Sequence, residues 1–528
     1  MKSKIEKKLL SQHQLNAVAA GCLSRNYGRT FCSVVEGGES SSCPKAEDKT
    51  DQGEKFERTS KAEPYDIAIV GGGMVGMAFA CALSRNPMTK HLTVAIIDNN
   101  PALGFKTSFK RSEIPDPRVS TVTPATISFF RDIGAWEYVL QQRHAYFDKM
   151  QVIFPFIGLG LHWVGYTRYN ARDVGKECLG CVVENKVLHY SLLSSFQSGA
   201  ELQWALYPAR LSSMTVPSPR SVSSRIMSQL EDSPSGRFVK LDLSDGNTLH
   251  ARLVVGADGS KSNVREMAAL KSTQRSYSQS AIICTVEHAV ENDCAWQRFL
   301  PSGPIALLPV GDRFSNVVWS MRPEEASAHK SMDGDDLAKA INRAMDDGHG
   351  PQPGSGVLGG YVERISSFTS WWGPSSSAAE PFRAPPRVTA VASERMVFPL
   401  SLMHAHDYVT RRVALVGDAA HTVHPLAGQG VNMGFGDASA LAKVIAEGVS
   451  VGTDLGELTL LKRYEKERKA GNATMMAILD GFQKAFAVDA GPLNLLRAAA
   501  FHGAQYIPPL KRNIISYASG DQKWPLFS

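Results

Sequence analysis

Three glycines separate an apolar run from a stretch with helical spacing. Gly71, Gly73 and Gly76 follow the run YDIAIV at 65–70 and lead into the stretch MVGMAFACALSR. Glycine here permits a tight turn, close approach of the backbone to a pyrophosphate, and close packing of helix on strand. The free amides and the dipole of a helix N-terminus favour the negative charge of the phosphates. The pattern therefore predicts a dinucleotide site.

A carboxylate completes this first piece. Asp98 ends the next apolar run, LTVAIIDNN at 92–100. An acidic side chain at the end of the second strand of a βαβ unit accepts a ribose hydroxyl and argues against a 2′-phosphate. This piece alone does not separate NAD from FAD.

Two later segments end further strands on acidic residues. The segment LVVGADGSKSNVRE at 253–266 ends an apolar run on Asp258 and Gly259. The segment RRVALVGDAAHTVHPLAGQGVNMGFGDASAL at 411–441 places Asp418 at a strand end. A carboxylate there can hold the ribityl hydroxyls of a flavin, a group that a simple NAD dehydrogenase does not need to bind. Either segment alone is also compatible with a β-turn and a capped helix.

A Pro/Gly-rich loop after Asp418 leads into a helix near Val431. The free amides of Gln429, Gly430, Val431 and Asn432 can face the pyrimidine edge of a flavin. That edge carries negative charge when the flavin is reduced, and a helix N-terminus stabilises it. The three pieces in this order predict FAD as the cofactor.

The same loop contains two histidines whose role stays open between packing and proton transfer. We expect His421 and His424 to pack or cap, and no carboxylate or cysteine is suitably placed to complete a metal site with them. The CxxC formed by Cys178 and Cys181 lacks a second ligand pair. We predict no metal.

Composition restricts the class of protein. The 528 residues are 43% hydrophobic, which is enough for two or three packed units. The net charge of +6 is not gathered into a basic stripe, so we expect no nucleic-acid partner. The eight cysteines have irregular spacing, which favours a reducing compartment. No apolar stretch reaches the roughly 20 residues of a spanning helix.

The order GxGxxG, GADGSxSxVR and GDAAHxxxPxxGQGxNxGxxD resembles the class A flavoprotein aromatic hydroxylases over roughly residues 65–445. The segments DPRVSTVTPATISFF, QRFLPSGPIALLPV and HPLAGQGVNMGFGDASAL are similar to the ubiquinone-biosynthesis flavin monooxygenases. An N-terminal leader and a Gly/Pro-rich insertion before the last strand resemble the mitochondrial members that hydroxylate C5 of polyprenyl-hydroxybenzoate.

The resemblance implies roles that spacing does not give. Arg118 would contact the flavin from the loop after the second strand, and Pro425 would lie against the isoalloxazine face near the oxygen site. We assign Pro425, Gly428 and Gln429 to the catalytic site. Val431 stands where family members often have leucine.

The implied fold is α/β, with a Rossmann-like FAD-binding domain, an inserted, mainly antiparallel β-sheet substrate domain and C-terminal helices. We predict seven segments, which are a transit peptide and disordered leader at 1–64, a first part of the FAD domain at 65–170, a mixed connection at 171–224, a second FAD part at 225–275, a substrate domain with the insertion at 276–395, a third FAD part at 396–450 and a helical region at 451–528.

The implied reaction uses reduced FAD and O2 to form a C4a-hydroperoxide, whose distal oxygen is attacked by an electron-rich phenol. The expected partners are a polyprenyl-hydroxybenzoate, a ferredoxin with its reductase, and a ubiquinone-biosynthesis complex on the matrix side of the mitochondrial inner membrane. Two alternatives stay open. One is a monooxygenase of the same fold with another aromatic or lipid substrate, and the other is a non-catalytic FAD-binding member of a complex.

The tail offers two readings. Residues 474–500 are apolar and rich in small side chains, which is typical of helix packing and also of a surface that touches a membrane. In the membrane reading, Lys511 and Arg512 would face anionic lipid.

Overall fold

The computed structural model describes residues 64–101, 113–158, 161–199, 202–217, 237–346, 382–425, 428–487 and 507–520. The predicted leader, most of the Gly/Pro-rich insertion and the end of the apolar tail lie outside the described residues.

The first sheet is built around the strand that precedes the glycines. β1 (Tyr65–Val70) lies parallel to and between β2 (Thr93–Ile97) and β11 (Thr248–Gly256). β8 (Gln203–Tyr207) extends the sheet beyond β2, and β19 (Val413–Leu415) pairs with β11. All four pairings are parallel, so the carboxyl ends of these strands meet at one edge. The apolar runs read from the sequence are buried here because helices cover parallel sheets.

Three short strands complete this sheet with antiparallel pairings. β9 (Leu211–Thr215) pairs with β10 (Val239–Leu243), which pairs with β11, and β18 (Val409–Thr410) pairs with β19.

Helices pack on the first sheet and on one another. α1 (Met74–Arg85) follows the glycines and packs against α4 (Asn185–Ser198) and α8 (Gln429–Ser450). α9 (Leu458–Ala487) packs on α8. Small side chains such as Ala78 and Ala80 let α1 approach its neighbours closely.

The second sheet is mainly antiparallel. Its strands are β5 (Lys149–Gly158), β6 (Leu161–Asn170), β12 (Ser272–His288), β13 (Cys294–Leu300), β14 (Gly303–Gly311), β15 (Phe314–Met321), β16 (Val388–Val391), β17 (Met396–Ala405) and β20 (His421–Thr422). Their order in the sheet is β20-β17-β12-β15-β14-β13-β5-β6, with β16 beside β12. α6 (Pro323–Ser331) and α7 (Gly334–Asp346) pack on it. α7 buries Leu337, Ile341 and Met345 because they recur every four residues along one helix face.

The described residues also contain a three-stranded sheet, four further short helices and two 3-10 turns, Ala171–Val174 and Gly417–Ala419. The sheet contains β3 (Val119–Val122), β7 (Gly180–Glu184) and β4 (His144–Phe147) in that order. The helices are α2 (Pro124–Asp132), α3 (Trp136–Leu140), α5 (Asn263–Met267) and α10 (Pro508–Ala518).

The sheets do not follow the predicted segment boundaries. β5 and β6 lie within the predicted first FAD part, yet β5 pairs with β13 of the second sheet. β8 and β9 lie within the predicted mixed connection, yet they join the first sheet. Alternation along a strand reports which residues are buried and does not report which strand becomes the neighbour.

The expectation that Lys511 would face lipid is wrong. Its side chain is fully buried and lies 3.4 Å from Asp173, although the adjacent Arg512 is exposed. Among the described residues, no helix is both long enough and apolar enough to cross a membrane.

Candidate active site

The glycine turn connects β1 to α1 and leaves one side open. Gly71 has a φ of +105°, and a Cβ there would lie 2.3 Å from the carbonyl oxygen of Ala257. A Cβ at Gly76 would lie 2.0 Å from the carbonyl oxygen of Gly71, whereas a Cβ at Gly73 would meet nothing within 4 Å. Gly71 and Gly76 therefore allow close backbone packing, and Gly73 borders open space.

The N-terminus of α1 opens at this turn. Gly73 is the N-cap, no side chain caps the helix, and its first turn contains no acidic residue. The structure brings Asp98 to the same place, since its Oδ2 accepts a hydrogen bond of 2.6 Å from the amide of Gly72. Uncapped amides and an adjacent carboxylate suit a phosphate group and a ribose.

The Asp258 carboxylate organises its own turn. Its Oδ1 accepts a hydrogen bond of 2.5 Å from Ser262 Oγ, and its Oδ2 accepts one of 3.1 Å from the amide of Val264. Gly259 follows with a φ of +82° and open space around the position of a Cβ. The side chain of Asp258 thus shapes the turn, and Gly259 borders open space.

Arg265 joins this turn to the segment that contains Asp418. Its guanidinium is buried and donates hydrogen bonds to the carbonyls of Ala419 (2.9 Å) and Ser260 (3.0 Å). This arginine is the last residue of the motif GADGSxSxVR, and the motif alone indicates no role for it. The pairing depends on a contact between residues more than 150 positions apart, which no local pattern reveals.

Asp418 is the unpaired carboxylate of the site. It lies in a 3-10 turn directly after β19, and its side chain is exposed. Crowding by surrounding protein atoms raises the pKa of Asp418, and the nearby His421 acts in the opposite direction. In the part of the chain that the structure describes, no group hydrogen-bonds to this carboxylate. It is therefore accessible to a ligand and incompletely solvated.

A buried network lies behind Asp418. The carboxylate of Asp437 accepts hydrogen bonds from His421 Nε2 (2.5 Å), Arg468 Nε (2.8 Å), Asn472 Nδ2 (3.0 Å) and the amide of Gly417 (3.1 Å). Burial raises the pKa of Asp437, but His421 and Arg468 outweigh it and bring the pKa to about 2. The network supports the turn that presents Asp418, so His421 acts here as a structural residue. Asp437 is the last residue of the motif GDAAHxxxPxxGQGxNxGxxD, but it was not among the predicted site residues.

α8 packs against the turn that contains Asp418. Gly428 is the N-cap of α8, with a φ of +60°, and neither a capping side chain nor an acidic residue occupies the first turn of this helix. Asn432 Oδ1 accepts from the amide of Thr123 (3.0 Å) and the hydroxyl of Thr126 (2.7 Å). Asn432 Nδ2 donates to the carbonyls of Thr121 (2.7 Å) and Gly428 (2.9 Å). The side chain of Asn432 therefore joins α8 to β3 and α2.

Three other predicted residues differ in their burial and in their contacts. Gln429 is buried, and its Nε2 donates to the carbonyl of Ala518 at 3.2 Å. Arg118 is exposed and forms a bidentate pair with Asp116. Pro425 is half-buried in the loop before α8.

His424 packs in the interior. Its ring lies edge-on to Tyr277, with the centroids 5.1 Å apart. Burial lowers the pKa of His424 to about 4, so its imidazole is neutral at physiological pH. Neither ring nitrogen has a hydrogen-bond partner among the residues that the structure describes.

Comparison with known proteins indicates the family to which the chain belongs. A family profile described as an FAD binding domain matches residues 212–355 and 377–478, and one described as an NAD(P)-binding Rossmann-like domain matches residues 69–135. The chain is 35% identical to the ubiquinone biosynthesis monooxygenase COQ6, mitochondrial, of Mus musculus over 464 residues, 86% of this chain and 91% of that protein. The human COQ6 is also 35% identical, over 86% of this chain and 92% of the relative.

The chain belongs to the COQ6 family of ubiquinone biosynthesis monooxygenases. Two solved structures have a fold similar to that of this COQ6-family chain. PqsL, a probable FAD-dependent monooxygenase from Pseudomonas aeruginosa, matches with a TM-score of 0.58 at 19% identity, over 83% of this chain and 99% of PqsL. The p-nitrophenol 4-monooxygenase PnpA from Pseudomonas putida gives 0.57 at 14% identity, over 86% and 98%.

This COQ6-family chain is an FAD-dependent monooxygenase, and the names of its COQ6 relatives place those proteins in the mitochondrion. The predicted fold class and cofactor are confirmed. The residues fit FAD on independent grounds, because the open space at Gly73, two uncapped helix N-termini and the unpaired Asp418 all border the edge where parallel strands end.

Proposed function

We propose that this enzyme hydroxylates C5 of the aromatic ring of a polyprenyl-hydroxybenzoate, with FAD and O2, during ubiquinone biosynthesis. The observation that carries the proposal is the exposed, unpaired Asp418 in a turn that contacts α8, a helix whose N-terminus is uncapped. A carboxylate and a helix N-terminus suit the ribityl chain and the pyrimidine edge of a flavin. The names of the COQ6 relatives supply the pathway.

Each predicted cofactor residue has a proposed role. The first turn of α1, next to Gly73, binds the pyrophosphate, and Asp98 accepts a ribose hydroxyl. Gly259 admits the cofactor at the turn that Asp258 shapes. Asp418 binds the ribityl hydroxyls. Gly71 and Gly76 would serve cofactor binding by the close packing that shapes the turn. The remaining proposed flavin contacts are Arg118, Gly430, Val431 and Asn432.

Bound FAD supplies the activation of oxygen. The protein must then exclude water and align the phenol ring. We propose that Pro425, Gly428 and Gln429 border the oxygen site and that β12, β14 and β15 form the roof over the substrate. Ile282, Ile305 and Val317 of these strands pack in one apolar cluster with α7, so the helix holds the proposed roof strands together.

The function is tested by product analysis. The purified enzyme is supplied with FAD, a reductant, a prenylated 4-hydroxybenzoate and ¹⁸O2, and products are examined by mass spectrometry and ring-position NMR. We expect one ¹⁸O atom at C5. Labelled product from a different phenol, with none from this substrate, would indicate the alternative substrate. Bound FAD without any labelled product would indicate the non-catalytic flavoprotein.

The proposed electron donor is a ferredoxin with its reductase. Among the described residues, no second GxGxxG turn that would bind a nicotinamide dinucleotide connects a strand to a helix. Anaerobic flavin reduction is followed at 450 nm, a wavelength typical of the free cofactor. Reduction should require ferredoxin and its reductase, and equally rapid reduction by NADPH alone would overturn this donor.

The proposed location is peripheral, on the matrix side of the inner membrane and within a ubiquinone-biosynthesis complex. This arrangement would collect a lipid-tailed substrate from the bilayer. Liposome flotation with cardiolipin-containing vesicles tests it. Recovery of the protein only in the unbound fraction would contradict membrane contact.

A further inference from the structure

The C-terminal helix α10 ends against two helices that border the proposed flavin site. The carbonyl of Ala518, its last residue, accepts the side-chain hydrogen bond of Gln429 at 3.2 Å. The next carbonyl, of Ser519, accepts from the amide of Ala125 at 3.3 Å. The end of α10 therefore bonds to the first turn of both α8 and α2.

The fit at this end is close. Gly520 has a φ of +88°, and a Cβ there would lie 2.6 Å from Cβ of Ala125. Ser519 is 2% exposed and Ile515 is 3% exposed. The helix end is thus packed into the molecule, and two backbone carbonyls are aimed at specific partners.

A buried ion pair anchors the other part of α10. Lys511 Nζ lies 3.4 Å from Asp173 Oδ2, and the two side chains are 0% and 3% exposed. Asp173 belongs to the 3-10 turn Ala171–Val174, which directly follows β6 of the second sheet. The same helix thus binds the second sheet through Lys511 and the flavin-side helices through its last carbonyls.

We propose that Lys511 and Asp173 are positioning residues that hold α10 as a clamp on Gln429 and so keep the first turn of α8 ready for FAD. This rests on the proposed contact between that turn and the flavin. A buried ion pair contributes little net stability compared with apolar side chains, but removing one partner leaves an uncompensated charge. Such a pair holds α10 in one register, because a shift of the helix would separate the charges.

The test compares Lys511→Met with Arg512→Met, a matched control on the exposed neighbour. FAD affinity is measured by quenching of flavin fluorescence, and hydrogen exchange is measured in 508–518 and 429–432. We expect Lys511→Met to raise the Kd for FAD by about tenfold and to accelerate exchange in both segments, because the lost pair costs several times RT. Arg512→Met should stay within about twofold of the wild type.

The double variant Asp173→Asn/Lys511→Met removes both charges and should recover part of the affinity, since no buried carboxylate then remains without the charge of Lys511. It also carries the test if Lys511→Met does not fold. Faster exchange in α10 with unchanged exchange at 429–432 and unchanged Kd would overturn the clamp.

Asp418→Asn, measured alongside, separates the two proposals. If Asp418→Asn weakens FAD binding and Lys511→Met does not, the clamp is wrong and the flavin site stands. If neither variant weakens binding, the proposed flavin site itself is wrong.

Discussion

The Asp418 carboxylate is exposed but crowded, and it has no hydrogen-bond partner among the described residues. A group whose folded-state pKa is raised makes the folded protein less stable when it is ionised, above that pKa. This unfavourable state is typical of a group that a ligand stabilises.

Replacing Asp418 with Asn should therefore separate stability from function. We expect the Kd for FAD to rise by about 10- to 100-fold, because a hydrogen bond to a charged group contributes about 1.5–3 kcal/mol. The melting temperature of the FAD-free protein at pH 7 should be unchanged or higher, because no crowded charge remains. Flavin fluorescence titration and differential scanning calorimetry measure the two quantities.

Asp407→Asn is the matched control, since Asp407 is a half-exposed carboxylate paired with Lys462. It should leave the Kd for FAD unchanged. A large fall in the melting temperature of Asp418→Asn would show that this carboxylate is a structural partner.

Asp437 differs from Asp418, because its carboxylate is buried and accepts hydrogen bonds from several protein groups. Asp437→Asn should lower the free energy of unfolding by about 3–5 kcal/mol at pH 7, because it leaves Arg468 buried without its counter-charge. Glu447→Gln on the same helix breaks an exposed pair with Arg463 and should cost at most about 1 kcal/mol. Urea titrations of both variants measure the difference.

The pH dependence of this effect has a defined sign. The pKa of Asp437 is depressed to about 2 in the folded protein, below the roughly 3.9 of an unfolded aspartate. Its contribution is present above the unfolded pKa and is lost as the pH falls through the folded pKa. The stability gap between wild type and Asp437→Asn should therefore narrow between about pH 4 and pH 2. A gap that is constant over this range would contradict the assignment.

At the scale of elements, two glycines of the same turn have different roles, because Gly76 packs against backbone and Gly73 borders the open space where a ligand would bind. Gly76→Ala should destabilise the fold severely, because its Cβ would lie 2.0 Å from a backbone oxygen. Gly73→Ala should change the free energy of unfolding by about 1 kcal/mol or less, since its Cβ meets open space and only an N-cap preference is lost. The same Gly73→Ala change should weaken FAD binding. Thermal unfolding with and without FAD separates the two effects.

The side chain of Asn432 forms hydrogen bonds where α2, β3 and α8 meet. Asn432→Ala removes four hydrogen bonds and should cost roughly 2–4 kcal/mol of stability, since each contributes about 1 kcal/mol. FAD binding should weaken as well. Asn342→Ala, which breaks two hydrogen bonds to Val388 far from the turn, should lower stability and leave FAD binding unchanged.

Local patterns predicted the parts of the site that depend on neighbouring residues. The glycine turn, the strands on either side of it and Asp98 follow from spacing along a short stretch of chain, so β1 was predicted at 65–70, where the structure has it. The role of Arg265, the network around Asp437 and the pairing of β5 with β13 each join distant segments. Such contacts depend on tertiary packing, which overrides strand propensity. The burial of Lys511 against Asp173, which the membrane interpretation of the tail did not predict, is likewise a tertiary contact.

At the scale of the whole molecule, the site is assembled from three separated segments, so FAD should stabilise the complete fold. Free FAD at 100 times its Kd should raise the free energy of unfolding by about 2.7 kcal/mol. Thermal unfolding at several FAD concentrations measures this, and the melting temperature should rise with the logarithm of concentration. A constant melting temperature would mean that FAD does not bind preferentially to the folded state.

Because β11 pairs with both β1 and β19, the first sheet is completed only after β19 has been synthesised. β19 ends at residue 415, and the first turn of α8 follows at 429–432. While the polypeptide is still being synthesised, the glycine turn emerges long before the segments that complete its sheet. Loading of the cofactor must therefore wait until more than four-fifths of the chain has been made. Contacts of such long sequence separation also form slowly, because the loop must close first. The new chain thus passes through an interval in which its parallel strands are exposed and FAD cannot yet protect them.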